Sequence, residues 1–442
     1  MSKVEPRTLR GFRDYLPAKM IPRQRMIESI ERTFQRFGFA PLMTPALEYL
    51  EILTGKYGDE GDQLLYRFKD NGGRDVGLRY DLTVPLARVV AQYPGEITLP
   101  FRRYQIAPVW RAENPARGRF REFMQCDADI VGSKDMAADA ELVQLGCELL
   151  EGLGVERFKV RVNHRKILSG LMARLGITSR EAESGILRTI DKLPKIGEAE
   201  TMKLLRADNG LEEGSIAKVF EFLRIAGTST EVLAGLEKIF EEGSIGRQGV
   251  TELREVFSIL EAAELSSAVD IDLSIARGLS YYTGTIYETF LTDLAGYGSV
   301  MSGGRYDELV GVFRGESVPA VGISLGIDRL LEGLVELKLL KEARAVAPVL
   351  VTVFGADTAG YAARIARWIR AAGVGCELYP AYAKMKKQFT RANDMGQRWV
   401  VIAGSDEMAK GQAAVKDMQL GQQELVAIEQ LGQYLADRVN AV

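Results

Sequence analysis

The sequence is almost without histidine: in 442 residues it has one, His164. Serine–histidine and cysteine–histidine nucleophiles and multi-histidine metal centres have no other residue around which to form, which excludes many hydrolase chemistries. His164 follows the apolar, β-branched stretch VRV and is therefore predicted at the end of a strand. We interpret it as a residue with a local structural hydrogen bond rather than as a catalytic group.

Cysteine is scarce as well. The three cysteines, Cys126, Cys147 and Cys376, are too far apart for the paired spacing of a zinc knuckle, and their number is odd. These features predict free thiols in a reducing compartment and no protein-bound zinc or other metal. The sequence has neither the apolar run of a secretion signal nor a stretch of 18 apolar residues, so the expected location is the cytoplasm, without a membrane partner.

No glycine-rich phosphate-binding motif is present. Neither G-x-x-x-x-G-K-[ST] nor a G-x-G-x-x-G that opens a strand–helix unit occurs in the chain. If the protein binds ATP, arginines on a sheet must therefore hold the phosphates. The charge is nearly balanced, with 57 lysines and arginines against 60 acidic residues, so a nucleic-acid partner would have to meet a local basic patch.

What the sequence does contain is a pair of predicted strands joined by an arginine-rich loop, between Phe101 and Gly132. Alternation with a period of two gives each strand one apolar face and one polar face. The polar faces are made of Arg103, Gln105 and Arg111, and of Arg121, Phe123, Gln125, Asp127 and Asp129. Guanidinium groups match phosphate and carboxylate oxygens, and a carboxylate matches an ammonium group, so this face can hold a zwitterion beside a polyphosphate. A solvated face with salt bridges is the alternative.

Two further segments offer groups for the same kind of site. In LRYDLT, Asp81 and Thr83 point the same way and could accept the protons of an ammonium group, although Asp-x-Thr also caps helices. In ARGLSYYTG, Arg277 can neutralise an anion, while Tyr281 and Tyr282 can hydrogen-bond a polar ring. Tyrosines in a strand beside an ion-paired arginine are the alternative for this segment.

A third segment runs from SGGRYD at 302–307 to GISLGIDR at 322–329. Its glycines permit tight packing beside a flat ligand. Arg329 opens a predicted helix and can reach a terminal phosphate. A purely structural role for the glycines is the alternative.

Hydrophobic periodicity divides this chain, 46% of which is apolar, into several parts. Strands and helices alternate at first, but from about 167 to 265 the pattern is one of helical turns with polar loops, which predicts an inserted helical module. Strands then resume, and residues 343–348 are a predicted linker. The βαβ alternation of 349–442 predicts a small, separate α/β domain.

Together these segments resemble the histidyl-tRNA synthetase family of class II aminoacyl-tRNA synthetases, over essentially the whole chain. FGFAPLMTP at 37–45 resembles the first class II motif, the stretch 109–123 the second and GISLGIDR the third. ARGLSYYTG and the N-terminal GFRDYLP are similar to segments typical of this family. The resemblance implies an α+β fold in which residues 1–342 form an antiparallel sheet flanked by helices, with the helical insertion, and 349–442 form an anticodon-binding domain.

The resemblance also implies a reaction. The carboxylate of L-histidine would attack the α-phosphorus of ATP, bound with Mg²⁺, to give histidyl-adenylate and pyrophosphate. Histidine would then pass to the 3′ end of tRNA(His). Such a displacement needs positioned cations and little covalent help from the protein, so the near absence of histidine side chains does not hinder it.

Carried over residue by residue, the resemblance implies four groups of site residues. The catalytic arginines would be Arg111, Arg277 and Arg329. Histidine would be bound by Asp81, Thr83, Arg111, Gln125, Asp129, Arg277, Tyr281 and Tyr282, with the tyrosines near the imidazole. ATP would be bound by Arg111, Glu113, Arg119, Phe123 and Arg329. The tRNA would be bound by Arg117, Lys386, Lys387 and Arg391.

Several expectations concern partners and differences from the family. Pro45 would lie at the interface of a homodimer formed through the catalytic domain. Ser280 stands where the family usually has an acidic or amide residue. The basic stretch 384–398 suits a phosphate backbone, with a solvated helix face as the alternative. For the whole chain the alternative is a synthetase-like, histidine-sensing regulatory subunit of ATP phosphoribosyltransferase, a class that shares the catalytic fold but lacks the C-terminal domain.

Overall fold

The computed structural model describes residues 4–115, 118–276 and 281–440. The chain forms two compact units, one of Met1–Arg13 with Met26–Leu339 and the other of Asp14–Arg25 with Leu340–Val442. The domain limits inferred from the sequence, at 342 and 349, stay predictions. Among the described residues, no helix is both long and apolar enough to span a membrane.

The described residues contain sixteen strands and seventeen helices. The strands are β1 (Ala40–Pro41), β2 (Leu47–Tyr49), β3 (Arg67–Lys69), β4 (Asp75–Leu78), β5 (Phe101–Trp110), β6 (Glu122–Val131), β7 (Phe158–His164), β8 (Val269–Ile271), β9 (Thr285–Leu291), β10 (Met301–Arg305), β11 (Ala320–Gly326), β12 (Val349–Val351), β13 (Cys376–Leu378), β14 (Trp399–Ile402), β15 (Gln412–Asp417) and β16 (Gln423–Ala427). The helices are α1 (Pro17–Arg36), α2 (Leu50–Leu53), α3 (Gly58–Gln63), α4 (Thr83–Gln92), α5 (Met136–Gly152), α6 (Arg165–Arg174), α7 (Arg180–Ile190), α8 (Leu193–Ala207), α9 (Glu213–Leu223), α10 (Ser229–Ile239), α11 (Ile245–Ala262), α12 (Gly311–Arg314), α13 (Ile327–Glu336), α14 (Ala356–Ala371), α15 (Met385–Met395), α16 (Ser405–Ala409) and α17 (Leu431–Asn440).

An eight-stranded sheet forms the centre of the first unit, in the order β1-β5-β6-β11-β10-β9-β7-β8. Its neighbouring strands are antiparallel except for the pairs β1/β5 and β7/β8, which are parallel. The long strands β5 and β6 pair from Phe101 opposite Val131 to Trp110 opposite Glu122. The predicted α+β class and antiparallel core are therefore confirmed.

Helix α5 covers one face of this sheet. A Cβ added to Gly146 of α5 would lie 2.5 Å from the Met301 Cε atom on β10 and 3.0 Å from the Ile323 Cδ1 atom on β11. Successive positions of a strand face opposite sides of the sheet, so Gly322 and Ser324, on either side of Ile323, face away from α5. That second face carries the polar residues of the candidate site.

The helical insertion leaves the sheet after β7 and returns at β8, which lies parallel to β7 with Val160 opposite Val269. Its first and last helices, α6 and α11, are in direct contact, since a Cβ added to Gly170 would lie 2.5 Å from the Gly246 Cα atom. His164 is fully buried at the start of α6, where its Nδ1 atom accepts the Lys166 N–H at 3.2 Å. Its Nε2 atom lies 2.9 Å from Glu252 Oε2 of α11, so the single histidine joins both ends of the insertion.

The second unit contains a five-stranded sheet in the order β13-β12-β14-β15-β16. Strand β12 is parallel to β13 and β14, whereas β15 and β16 continue the sheet antiparallel. Its apolar strands and helix α14 share one core, which includes Val351, Ile365 and Val401. The predicted α/β character of this region is confirmed.

Candidate active site

The polar face of β5 and β6 is buried rather than solvated. The register sets Arg103 directly opposite Asp129 and Gln105 opposite Asp127. Arg103 is 0% exposed, and Asp127 and Asp129 are each 2% exposed. The alternative of a solvated face with surface salt bridges is therefore wrong for this part of the hairpin. Buried charges of this kind need partners within the protein or a bound ligand.

Asp129 is held by three neighbours. Arg103 Nη2 lies 2.7 Å from Asp129 Oδ2, and the Tyr306 hydroxyl donates to Asp129 Oδ1. Across the sheet, Gly322 of β11 stands opposite Asp129, and a Cβ at that position would lie 2.0 Å from Oδ1. Burial raises the pKa of Asp129, although the facing Arg103 lowers it. Position 322 must therefore be glycine because the Asp129 carboxylate occupies the space of a side chain, and not because a turn requires it.

Asp127, Ser324 and Gln125 form a second polar chain on the same face. The Ser324 hydroxyl donates to Asp127 Oδ1 at 2.6 Å, and Gln125 Nε2 donates to the Ser324 hydroxyl at 2.7 Å. Among the described residues, Asp127 Oδ2 and Gln125 Oε1 have no hydrogen-bond partner although they are buried. Such orphaned acceptors are rare in folded proteins, and a ligand with N–H groups would satisfy them.

Opposing effects act on the pKa of Asp127. Burial raises the pKa of its carboxyl to about 7, because desolvation and the nearby Asp129 together outweigh the attraction of Arg103. In the part of the chain that the structure describes, one arginine, Arg103, lowers the pKa of both buried carboxyl groups. This face is therefore suited to a ligand that brings positive charge or hydrogen-bond donors.

Asp81 joins the segment before α4 to two tyrosines. Its Oδ1 atom accepts the Tyr57 hydroxyl at 3.1 Å and the Val84 N–H at 3.1 Å, and its Oδ2 atom accepts the Tyr281 hydroxyl at 3.2 Å. The bond to Val84 lies at the start of α4, so Asp81 both caps the helix and contributes to the polar site. The Thr83 side chain also hydrogen-bonds Tyr281. The helix-capping interpretation of the Asp-x-Thr sequence is confirmed, and the contact with an ammonium group stays a prediction.

Three tyrosine rings connect Asp81 to Asp129. Tyr281 packs edge-on against Tyr282, with ring centroids 5.2 Å apart, and against Tyr306 at 5.8 Å. Gly304 makes room for this cluster, because a Cβ there would lie 2.9 Å from Tyr282 Cδ1. Burial raises the pKa of all three phenols, so their hydroxyl groups remain protonated and can act as donors at neutral pH.

Arg111 follows β5 and lies between two aromatic rings. Its guanidinium carbon is 4.3 Å from the centroid of Tyr80 and 5.1 Å from that of Phe123. Its Nε atom donates to the Tyr80 carbonyl oxygen at 3.2 Å. These contacts fix the cation at the edge of the tyrosine and aspartate cluster. Burial raises the pKa of Asp81, and Arg111 opposes that larger effect by lowering it.

The predicted ATP-binding residues border the loop between β5 and β6. Glu113 and Arg119 lie within this loop and face each other, with Arg119 Nη1 3.6 Å from Glu113 Oε2. Arg329 extends from the first turn of α13 and donates to the Ser299 carbonyl oxygen at 2.7 Å. A Cβ added to Gly118 would lie 3.9 Å from Arg329 Nε, so the loop passes directly beside this arginine. Arg329 and the loop thus lie on one border of the site.

Three residues named from the sequence, Arg117, Arg277 and Ser280, lie outside the described residues. The described site therefore joins Arg111 and Arg329 to the loop, whereas the contribution of Arg277 stays a prediction. The other residues expected to bind histidine, Asp81, Thr83, Gln125, Asp129, Tyr281 and Tyr282, are brought together.

Sequence reasoning did not assign a role to four residues that complete this cluster: Arg103, Asp127, Tyr306 and Ser324. For Arg103 and Asp127 the signal was present, because alternation had already put both on the polar face. Ser324 and Tyr306 come from β11 and from the residue after β10, which only the long-range pairing of these strands brings to β6.

The predicted tRNA-binding residues of the second unit lie on and beside α15. Lys386 and Lys387 are exposed. Arg391 is paired with Glu377 at 2.7 Å, and Arg398 is paired with Asp417 at 3.0 Å. The positive charge available to a partner on this helix is therefore concentrated in its first turn, at the lysines.

Comparison with known proteins adds independent findings. Residues 11–330 match the family model of histidyl-tRNA synthetase, and residues 347–438 match that of an anticodon binding domain. A curated histidine–tRNA ligase of Rhodopirellula baltica is 43% identical over 416 residues, which are 94% of this chain and 94% of that protein.

Solved structures extend this likeness to three dimensions. The crystal structure of histidyl-tRNA synthetase from Nostoc sp. PCC 7120 aligns with a TM-score of 0.89 and 34% identity, covering 99% of this chain and 100% of that one. A structure described as an ATP phosphoribosyltransferase regulatory subunit/histidyl-tRNA synthetase from Bacillus halodurans C aligns with a TM-score of 0.73 and 24% identity, covering 86% and 95%. The second likeness is one of fold alone.

Proposed function

The chain belongs to the histidyl-tRNA synthetase family, and from this membership we propose that it activates L-histidine with ATP and transfers it to the 3′ end of tRNA(His). The observation that carries the proposal is the buried cluster of carboxylates, tyrosines and one amide beside Arg111. Two of its buried acceptors, Asp127 Oδ2 and Gln125 Oε1, have no hydrogen-bond partner in the described part of the chain and suit a small ligand rich in N–H groups. Histidine has such groups at both its ammonium and its imidazole.

For histidine binding, we propose that the ammonium group lies among Asp81, Thr83, Gln125 and Asp129, and that Tyr281 and Tyr282 contact the imidazole. Oxygen acceptors on the first group suit the three donors of an ammonium. Protonated phenols can donate to an unprotonated ring nitrogen. The burial of the cluster strengthens each of these hydrogen bonds, since fewer water molecules compete for them.

For the activation step, we propose that Arg111 bridges the histidine carboxylate and the α-phosphate of ATP, with Arg277 as a second cation at that phosphate. Phe123 would stack on the adenine, Glu113 would meet its amino group, and Arg329 would hold the γ-phosphate. Arg119, paired with Glu113, would add a further cation to the same nucleotide. ATP enters as its Mg²⁺ complex, which makes the metal part of the substrate.

The chemistry asked of the protein is then positioning and charge neutralisation. The histidine carboxylate attacks the α-phosphorus, the bond from that phosphorus to the bridging oxygen breaks, and pyrophosphate leaves with the electron pair. Negative charge grows on the oxygens around the α-phosphorus, and fixed guanidinium groups stabilise it without reorganising. Arg111 meets this requirement because its Nε atom and its two flanking rings restrict its motion.

For tRNA, we propose that the second unit binds the anticodon region and that Lys386 and Lys387 contact phosphates. Arg391 would take part at the margin, because Glu377 already neutralises much of its charge. Arg117 would contact the acceptor end. Since tRNA, ATP and amino acids meet in the cytoplasm, we propose that the protein acts there.

We also propose that the protein is a homodimer in which Pro45 lies at the interface. Near Pro45, the exposed apolar residues Tyr49 on β2 and Phe68 on β3 flank Val76 of β4 in one row of the three-stranded sheet. Tyr49 is 53% and Phe68 49% exposed. A row of exposed aromatic residues is typical of a surface that another protein covers.

The regulatory-subunit alternative is less well supported. The match of residues 347–438 to an anticodon binding domain supplies the part that such subunits are expected to lack. Arg329, which is assigned to the γ-phosphate and has no proposed contact with histidine, is retained and anchored. We therefore favour the ligase.

The proposal is tested by histidine-dependent exchange of pyrophosphate into ATP. We expect exchange with histidine and none with the other amino acids, and Arg111→Met should lower kcat/KM at least about 100-fold, because it removes a cation at the reacting phosphate. Arg102→Met is the matched control, since Arg102 lies on the opposite face of β5, paired with Glu141. Histidine binding without any exchange in the wild-type protein would instead identify a sensor.

A further inference from the structure

Residues Leu9–Arg13, here called the N-terminal strap, run along the loop between β5 and β6. The Arg121 N–H donates to the Gly11 carbonyl oxygen at 2.8 Å, while the Arg121 carbonyl oxygen accepts the Arg111 N–H at 2.9 Å. Arg121 therefore lies between the strap and Arg111, with one main-chain hydrogen bond to each. The strap is thus connected through a single residue to the cation proposed to act at the α-phosphate.

Gly11 allows the strap to approach the loop this closely. It has a φ of +86°, a conformation that favours glycine, and a Cβ there would lie 2.8 Å from the side chain of Arg121 and 3.0 Å from that of Pro115. Pro115 and Arg121 stand near the two ends of the loop. Contact with both indicates that the strap fixes the base of the loop rather than one point on it.

Arg13 links the strap to both the loop and α13. Its guanidinium carbon lies 3.4 Å from the centroid of the Phe120 ring, which belongs to the loop. Its terminal nitrogens pair with Glu332 at 3.0 Å and with Asp328 at 3.3 Å, both on α13. Arg13 thus joins the loop to the helix from which Arg329 extends.

A second bond closes this arrangement. Asp328 Oδ2 accepts the Met124 N–H of β6 at 3.0 Å, so the first turn of α13 is tied both to β6 and, through Arg13, to the strap. Gly118 of the loop also approaches this turn, since its Cβ would lie 3.9 Å from Arg329 Nε. Replacement of Arg13 would remove the contact between the strap and α13, whereas the hydrogen bond between Met124 and Asp328 would remain.

We propose that Arg13 is a positioning residue for ATP, which holds the β5–β6 loop against α13 at the spacing that a nucleotide requires. The inference rests on the proposed function, because it uses the assignment of Glu113 and Phe123 to the adenine and of Arg329 to the γ-phosphate. Two groups at opposite ends of the nucleotide can bind it together only when their separation is fixed. Arg13 itself contacts the loop and α13, whereas the carboxylates proposed to bind the histidine ammonium group lie on the sheet face.

The test compares steady-state pyrophosphate exchange in four forms: wild type, Arg13→Ala, Arg13→Lys and, as control, Arg7→Ala. Arg7 is exposed and precedes the strap. We expect Arg13→Ala to raise KM for ATP about tenfold or more and to leave KM for histidine within about twofold, since only the nucleotide groups lose their spacing. Arg13→Lys keeps the charge without the planar fork and should fall between.

A double-mutant cycle with Glu332→Ala supplies the second measurement. If Arg13 acts through α13, the double variant should raise KM for ATP no further than Arg13→Ala alone. Equal rises in both KM values, with a lower melting temperature, would overturn the proposal and make Arg13 a residue of general stability. An unchanged KM for ATP in an active Arg13→Ala protein would also overturn it. Absence of exchange in the wild type would instead refute the ligase function.

Discussion

Replacing Asp127 with asparagine should change how the stability of the protein depends on pH. Burial raises the pKa of the Asp127 carboxyl in the folded protein to about 7, from the ordinary value of 3.8. At a pH between 3.8 and about 7, the Asp127 carboxyl is protonated in the folded state and ionised in the unfolded state. The wild-type protein therefore loses stability as the pH rises from about 4 to about 7, and the loss is complete above the folded pKa.

The magnitude follows from the two pKa values. For one group that titrates at 3.8 when unfolded and near 7 when folded, the free energy of unfolding falls by about 2 kcal/mol between pH 5.5 and pH 8. The amide of the Asp127→Asn variant would have no such titration, although it keeps an oxygen that can accept from Ser324. We therefore expect Asp127→Asn to be more resistant to unfolding than the wild type at pH 8, with the difference about 2 kcal/mol smaller at pH 5.5.

The assay is urea unfolding of both proteins at the two pH values and at one chain concentration, so that any dimer contributes equally. Asp75→Asn is the control, because the Asp75 side chain is 62% exposed and pairs with Lys69 at the surface. A difference between Asp127→Asn and wild type that is the same at both pH values would refute the reasoning. It would mean that Asp127 stays ionised in the folded protein throughout this range.

Three further results are expected. Gly322→Ala should lower histidine-dependent exchange at least about 100-fold, because its Cβ would displace the facing carboxylate, whereas Gly326→Ala, whose Cβ would have 3.8 Å of clearance, should stay within about threefold. Tyr49→Asp should shift the protein from dimer to monomer in analytical ultracentrifugation, since it puts a charge in an apolar interface; an unchanged dimer would place the interface elsewhere. Lys386→Glu combined with Lys387→Glu should weaken tRNA binding and reduce the slope of log affinity against log salt by about 1 per lysine, and an equal slope would exclude phosphate contacts there.

The faces of the central hairpin could be predicted from the sequence because alternation is a local property. Along each strand, from Arg103 onward in β5 and up to Asp129 in β6, polar and apolar residues alternate. Because successive side chains of a strand point to opposite faces, this alternation produces one polar and one apolar face. The helical module and the C-terminal α/β domain could also be predicted, since their periods differ from that of the strands around them.

The register of the hairpin could not be read in this way. The loop between β5 and β6 is long, so turn geometry does not specify which residues face each other. As a result Asp129 was predicted as a ligand for an ammonium group, whereas the register also gives it a permanent partner in Arg103. Asp129 is thus already paired with one cation, whereas Asp127 has no salt bridge of its own among the described residues.

The two ends of the helical insertion meet at adjacent strands, which has a consequence for how this protein family can vary. The chain leaves the sheet at the end of β7 and returns at the neighbouring strand β8. Helices α6 and α11, the first and last of the module, are in contact at Gly170 and Gly246. The four helices between them can then lengthen, shorten or be exchanged while the sheet keeps its register, because each doubling of a connection costs only about 0.6 kcal/mol in closure entropy. An engineered chain in which a short loop joins α6 directly to α11 would retain the whole catalytic sheet.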